Sequence, residues 1–181
     1  MGVVALSATA FACGRKYNNH YARVAREQRQ MAKQKTDSQK VEDQLIKTNQ
    51  ILARKEQEQI KGYIDRRGWQ MKQLQNGIYL SELTKGSGKE IKKDSHVIIS
   101  YSLDLISGQS IIPSSKPKTQ TIVMNKQEQV VGLLYVLMGK KQGSKLRIVL
   151  PYFMAYGING DGDKIPRRAT LVYLLEVKDI K

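Results

Sequence analysis

The feature that most constrains this chain is a change of hydrophobic period near residue 77. Residues 20–72 contain no proline and consist mainly of Gln, Lys, Arg, Glu and Ala, which favour helix. Apolar residues are sparse there, and the steps from Val41 to Leu45 and on to Leu52 trace one narrow helical stripe. Because so thin a stripe cannot enclose a core, we expect an extended helix that packs through its C-terminal end or pairs with a second copy.

Turn signals divide this helical region. Thr36-Asp37-Ser38 predicts a break in the helix and an N-cap for a second helical segment. Gly68 and Asn76-Gly77 predict the exit into a different kind of structure.

From Ile78 onward the pattern is typical of strands, with one short helix among them. Strand-like segments occupy residues 78–80, 96–105, 121–124, 145–150 and 169–177. Residues 130–138 are too apolar for a surface helix and precede Gly139, so we interpret them as a short buried helix. One short helix among about five antiparallel strands predicts an α+β domain whose curved sheet wraps on that helix.

The first residues of the chain resemble a secretory signal. Residues 1–12 are apolar and small, too short for the roughly 20 residues that span a bilayer, and run directly into Cys13. We therefore expect lipoprotein processing, in which the signal is removed and Cys13 is lipidated. No basic residue precedes the apolar run, and Ala10 stands where such signals usually have Leu. The alternative is a buried N-terminal segment with a chance cysteine.

The net charge of +15 allows nucleic acid, anionic lipid or acidic proteins as partners. Its distribution is even, because residues 14–75 carry 15 basic and 7 acidic side chains and residues 76–181 carry 16 and 9. An even spread favours a solvated mixed-charge surface over a nucleic-acid footprint. The single cysteine excludes an internal disulfide, and His20 and His96 do not have metal-ligand spacing.

The sequence motifs that would indicate acid–base or metal chemistry are incomplete in this chain. Asn159, Asp161 and Asp163 have the alternate spacing of a calcium loop, but Lys164 replaces the glycine and Thr170 the closing Glu. Neither histidine completes a Ser/His/Asp set. The remaining candidates are aromatic and apolar, and by themselves they do not separate a binding groove from a packed core. They are Tyr101, Val130, Leu133, Tyr156, Ile165 and Tyr173.

The C-terminal block PYFMAYGINGDGDKIPRRATLVYLLEVKDI resembles the end of the FKBP-type peptidyl-prolyl cis-trans isomerases. Upstream, NKQEQVVGLLYVLMGKKQGSKLRIVLP is similar to the short helix and following strand of that family, and VIISYSLDLISG to its first pocket strand. The resemblance covers about residues 77–181. The long arm resembles that of lipidated or dimeric members from Gram-negative envelopes. Together these resemblances imply a signal/lipoprotein segment at 1–13, a helical extension at 14–76 and an isomerase domain at 77–181.

The resemblance also implies roles for single residues. Tyr101 matches the tyrosine of the pocket wall, and Tyr156 matches the tyrosine whose hydroxyl binds a substrate carbonyl. These two tyrosines are the catalytic candidates. We expect Tyr156 at a strand-to-loop exit. Val130 matches the residue whose backbone N–H meets the substrate. Leu133 stands at the pocket floor, where many members have Trp.

Ile165 and Tyr173 match the loop aliphatic and the last-strand aromatic of the pocket. The sequence departs from the family elsewhere, because the Phe-Asp pair after the first hairpin is Ile111-Ile112 and the pocket aspartate is therefore missing. A wall aromatic is replaced near Gln120, and Gln129 precedes Val130 where an apolar residue is usual. These departures affect the expected efficiency more than the fold.

The resemblance implies an isomerase for X-Pro bonds of proline-containing polypeptide clients, acting through an apolar cleft without a cofactor. The alternative is a catalytically weak peptide-binding or chaperone module on the same fold. We further expect a membrane-anchored lipoprotein of the cell envelope that faces the periplasm, a possible homodimer through the helical extension, and no nucleic-acid partner.

Overall fold

Helix α1 runs from Thr9 to Arg66 in a computed structural model that describes residues 9–125 and 130–181, with side chains of the helix from residue 22. The chain divides into two compact units, 1–52 and 53–181. The predicted signal falls partly on residues outside the described ranges, as does the side chain of Cys13. In the described part of the chain, no helix is long and apolar enough to cross a membrane.

The predicted break at Thr36-Asp37-Ser38 is wrong, because α1 continues through it. The hydroxyl of Thr36 donates to the carbonyl oxygen of Ala32, and that of Ser38 to Gln34, each at 2.9 Å. These residues bond the preceding turn of the same helix instead of capping a new one. Within the first unit five large apolar side chains of the helix are exposed, whereas Val24 and Leu52 are half-buried. The exposed ones are Met31, Val41, Leu45, Ile46 and Ile51.

Helix α1 ends at Arg66, two residues before Gly68, where the sequence predicts an exit from the helical region. The backbone N–H groups of Arg67 and Trp69 donate to the carbonyl oxygen of Ile64, and Gly68 adopts a positive φ of 62°. A glycine in this conformation is a common helix terminator, because a side chain would strain the backbone there. Residues 72 and 73 then form a short strand.

The second unit contains a seven-stranded antiparallel sheet. Its strands are β1 (Lys72–Gln73), β2 (Tyr79–Thr84), β3 (His96–Leu105), β4 (Ser110–Ile112), β5 (Lys118–Val123), β6 (Lys145–Leu150) and β7 (Leu171–Ile180). The order is β1-β2-β6-β7-β3-β4, and β5 also pairs with β3. Helix α2 spans Val131–Leu137, and a 3₁₀ turn spans Tyr152–Met154.

One face of the sheet packs against α2 and forms the main core. Alternate residues of β3 point to this face, including Val97, Ile99 and Leu103, and all three are buried. Leu133 and Leu137 of α2 belong to the same cluster. The predicted α+β class, with a curved antiparallel sheet and a short buried helix, is confirmed.

The end of α1 packs on other residues of the sheet. Ile60, Tyr63 and Ile64 form a second buried cluster with Tyr79 and Val149. The prediction that the helix packs through its C-terminal end is therefore confirmed. The compact unit that contains the sheet begins at Ala53, which lies inside the predicted extension 14–76.

Candidate functional site

Two tyrosines that the sequence singled out lie side by side in the main core. Leu103 of β3 pairs with Tyr173 of β7, which brings Tyr101, two residues earlier on the same face of β3, next to it. The ring centroids of Tyr101 and Tyr173 are 5.6 Å apart and the rings are tilted by 41°. Both side chains are buried. The two rings together contribute a large apolar area to this core.

The hydroxyl of Tyr101 has a partner on the neighbouring strand. It donates a hydrogen bond of 3.1 Å to Oε1 of Gln120, which lies on β5 opposite Ile99. Gln120 was noted in the sequence only as a departure from an aromatic residue. In the structure it orients the hydroxyl of a proposed catalytic residue.

Tyr156 follows the 3₁₀ turn that begins after β6. The N–H groups of Ala155 and Gly157 donate to the carbonyl oxygen of Tyr152 at 3.1 and 2.8 Å, and Gly157 has a positive φ of 66°. The predicted strand-to-loop exit is wrong, because the 3₁₀ turn lies between the end of β6 and Tyr156. The side chain is 39% exposed, unlike Tyr101 and Tyr173. The Tyr156 side chain is therefore accessible to a ligand.

The three tyrosine hydroxyls interact electrostatically. Burial raises the pKa of Tyr101 and Tyr173, and proximity to the phenol of Tyr156 raises both further. Burial also raises the pKa of Tyr156, and the negative charge of Asp161 adds to that effect. All three groups therefore keep their protons at neutral pH and can act as hydrogen-bond donors.

Asp161 organises the loop that carries Ile165. Its Oδ1 accepts the N–H of Asp163 at 2.9 Å and that of Ile165 at 2.7 Å, and these bonds lower the pKa of its carboxyl. Ile165 is buried in the main core cluster. Gly160 allows the close approach of the chain, because a Cβ there would collide with the carbonyl oxygen of Ile165. Of the three residues that imitate a calcium loop, Asp161 thus binds backbone amides of its own loop.

The remaining candidates surround the same cluster. Leu133 is buried in it, and Val130, Ile111 and Ile112 are partly buried against it. Val130 immediately precedes α2, and its carbonyl oxygen accepts the N–H of Leu133 at 2.9 Å. Gln129 lies outside the described residues. The structure therefore packs these candidate residues in or against one core cluster.

The arrangement offers hydroxyl donors over an apolar surface. Among the described residues, no group of three or more His, Cys, Asp or Glu side chains could hold a metal ion. Residues 87–178, which include all of the candidate site residues, match the model of the FKBP-type peptidyl-prolyl cis-trans isomerase family.

The chain belongs to the FKBP-type peptidyl-prolyl cis-trans isomerases.

Individual relatives agree with this assignment. An FK506-binding protein of Neisseria meningitidis serogroup B is 29% identical over 102 residues, which cover 56% of this chain and 94% of that protein. A probable FKBP-type peptidyl-prolyl cis-trans isomerase of Haemophilus influenzae is 28% identical over 114 residues, covering 63% of this chain and 47% of that protein. This chain thus spans about half the length of the second relative. The assignment as an enzyme of this class is confirmed.

Solved structures extend the likeness to the fold. The peptidyl-prolyl cis-trans isomerase of Pseudomonas syringae pv. tomato has a TM-score of 0.59 at 28% identity, covering 71% of this chain and 92% of that one. FkpA from Escherichia coli has a TM-score of 0.57 at 26% identity, and the match covers 67% of this chain and 57% of the FkpA chain. The FKBP-like architecture predicted from the sequence is confirmed.

Sequence reasoning missed a side chain from the end of α1 in this FKBP-type chain. Glu56 is 7% exposed, and its Oε1 accepts the backbone N–H of Tyr152 at 2.8 Å and the hydroxyl of Thr170 at 2.6 Å. A signal was available, since Glu56 precedes the buried Ile60 by four residues and so shares its helix face. Without knowledge of the fold, a glutamate in a highly charged helix is predicted to be solvent-exposed.

Proposed function

We propose that this FKBP-type chain rotates X-Pro bonds of polypeptide clients in the cleft over Tyr101 and Tyr173. The hydroxyl of Tyr156 binds one carbonyl beside the proline, and the backbone N–H of Val130 binds another. Leu133 supplies part of the apolar floor, and Ile165 lines the cleft from its loop. The observation that carries the proposal is the half-exposed side chain of Tyr156, together with the buried Tyr101–Tyr173 pair whose pKa values its phenol raises.

The mechanism requires little chemistry from the side chains. Rotation about the amide must break its resonance, which costs about 18–20 kcal/mol, and uncatalysed X-Pro exchange takes tens to hundreds of seconds, roughly. An apolar cleft disfavours the charge-separated planar amide relative to the less polar twisted one. Donors that hold the flanking carbonyls while the bond turns then stabilise the twisted state more than the ground state, and this difference accelerates the reaction.

Removing the hydroxyl in Tyr156→Phe tests the cleft. One net hydrogen bond is worth about 0.5–1.5 kcal/mol, so kcat/KM should fall about two- to tenfold in a protease-coupled assay with a proline peptide. Tyr135→Phe is the matched control, because Tyr135 is exposed on α2 and should leave the rate unchanged. An unchanged rate in Tyr156→Phe, with a sharply lower melting temperature, would show that Tyr156 is a packing residue.

A second function, peptide binding with weak catalysis, is favoured by one observation. Ile111 and Ile112 are partly buried against the core where the family has Phe and Asp. In that case a proline peptide should bind in calorimetry while the isomerase rate stays near the uncatalysed value. Ile112→Asp should then raise kcat/KM, whereas a rate that is already high in the unchanged chain supports the isomerase.

We also propose that Cys13 is lipidated and anchors the enzyme to the membrane of a cell envelope, with clients on the periplasmic side. Support comes from the apolar run of residues 1–12 that ends at Cys13. Mature protein should partition into detergent, and Cys13→Ala should leave an unprocessed precursor. A full-length protein recovered in the soluble cytoplasmic fraction would overturn the proposed lipid anchor.

The exposed apolar stripe of the first unit supports a proposed homodimer through the helix. Val41 and Leu45 of the predicted stripe are 55% and 59% exposed, which is costly for large aliphatic side chains in water. Leu45→Glu should shift the sedimentation coefficient toward the monomer, whereas Gln50→Glu adds the same charge at a polar position and should not. A monomer in the unchanged chain would remove the proposal.

A further inference from the structure

Glu56 joins the end of α1 to the segment that carries Tyr156. Its Oε1 accepts the N–H of Tyr152, the first residue of the 3₁₀ turn, and the carbonyl oxygen of Tyr152 in turn accepts the N–H of Gly157. Tyr156 lies between these bonds. The position of its ring therefore depends on where Tyr152 is held.

The same oxygen of Glu56 holds the start of β7. Thr170 donates its hydroxyl to Oε1, and the next residue, Leu171, begins the strand that bears Tyr173. The carbonyl oxygen of Thr170 also accepts the N–H of Ile106, at the end of β3. One side chain thus ties together the two segments that deliver Tyr156 and Tyr173.

The turn is held from a second direction by α2. A Cβ at Gly132 would come within 2.8 Å of the carbonyl oxygen of Met154 and within 2.7 Å of a methyl group of Leu150. Because the turn has no room to move toward α2, loss of the bond from Glu56 would leave it free to shift away from that helix.

Packing alone does not explain a carboxyl group at this position. Its second oxygen, Oε2, is buried and has no hydrogen-bond partner among the described residues. Burying such a group costs free energy, and an apolar side chain would cover the sheet without that cost. The neighbouring buried residue of the same helix face, Ile60, is apolar.

We infer that Glu56 is a positioning residue for isomerisation, which holds the 152–157 segment so that the Tyr156 hydroxyl meets the client. The inference rests on the role proposed for Tyr156. It makes the end of the helical extension part of the enzyme's working structure.

The first test compares variants of Glu56 in the full chain, well below their melting temperatures. Glu56→Ala removes the acceptor and should lower kcat/KM at least fivefold. Glu56→Gln keeps one acceptor oxygen and should stay within twofold of the unchanged chain. Gln57→Ala is the control, because Gln57 bonds Gly77 and Gln73 instead of the turn and should leave the rate within twofold. Equal losses in Glu56→Ala and Glu56→Gln would overturn the inference.

The second test separates positioning from general stability. If Glu56 acts through Tyr156, the loss of rate caused by Tyr156→Phe should shrink to less than twofold in the Glu56→Ala background. The same factor in both backgrounds overturns the inference. If Tyr156→Phe has no effect in the unchanged chain, the proposed cleft is wrong, and the inference that rests on it is overturned with it.

Two further measurements keep the inference falsifiable if Glu56→Ala does not fold. Thr170→Val conserves volume and removes one of the two bonds to Glu56, so kcat/KM should fall below that of the unchanged chain. Amide hydrogen exchange at Tyr152 should be unchanged in Glu56→Gln and at least threefold faster in Glu56→Ala or Thr170→Val. Unchanged exchange and rate in Thr170→Val would overturn the inference independently.

Discussion

The hydrogen bond between Tyr101 and Gln120 allows a prediction whose size follows from the structure. Gln120→Met removes the acceptor of the Tyr101 hydroxyl while keeping a side chain of similar length. Tyr101 is 8% exposed but Gln120 lies at the surface, so water reaches part of the vacated position. We therefore expect the free energy of unfolding to fall by about 1 kcal/mol, the net value of one hydrogen bond.

A double-mutant cycle isolates this bond. Tyr101→Phe should also cost about 1 kcal/mol, because the ring contact with Tyr173 survives the loss of the hydroxyl. The double variant Tyr101→Phe with Gln120→Met should lose little more than either single change, which gives a coupling energy of about 0.5–1.5 kcal/mol. Urea unfolding with unchanged slopes measures these differences.

Strictly additive losses would refute the reasoning, since they would mean that the two side chains do not interact. Thr121→Val on the same strand is the control, because Thr121 is exposed and the change should alter stability by less than about 0.5 kcal/mol. In the isomerase assay, Gln120→Met should reduce kcat/KM less than Tyr156→Phe does. The reason is that Gln120 only orients a neighbour.

Three more predictions concern stability. Ile60→Ala should cost about 2–5 kcal/mol in urea unfolding, whereas Leu45→Ala should cost about 0.5 kcal/mol or less, because Ile60 is fully buried and Leu45 is exposed. The lowered pKa of the Asp161 carboxyl gives the parent chain stability above pH about 4, which is lost as the pH falls through that pKa. Asp161→Ala should remove this contribution, so the melting temperature should depend less on pH in the acidic range. Above pH about 10 the unfolded chain releases tyrosine protons that the folded chain keeps, so stability should fall, and Tyr173→Phe should reduce that slope.

Local pattern was sufficient for most of the secondary structure and for the family. Residues 96–105 and 145–150 alternate along buried strands as predicted, and the apolar run before Gly139 forms α2. These elements follow from period and turn residues, which are properties of neighbours in the chain. The predicted break at Thr36 failed for a local reason, because a hydroxyl can bond the preceding helical turn as readily as it can cap a new helix.

Only the tertiary structure decided which partners the site residues have. The bonds from Glu56 reach across 96 and 114 positions to Tyr152 and Thr170, and the bond from Tyr101 reaches Gln120 on another strand. The helical period predicts that Glu56 and Ile60 share a face of the helix. It does not predict which segments of the chain pack against that face. Whether a charged or amide side chain is a solvated group or a positioning residue depends on the segments packed against it, and folding alone brings those segments together.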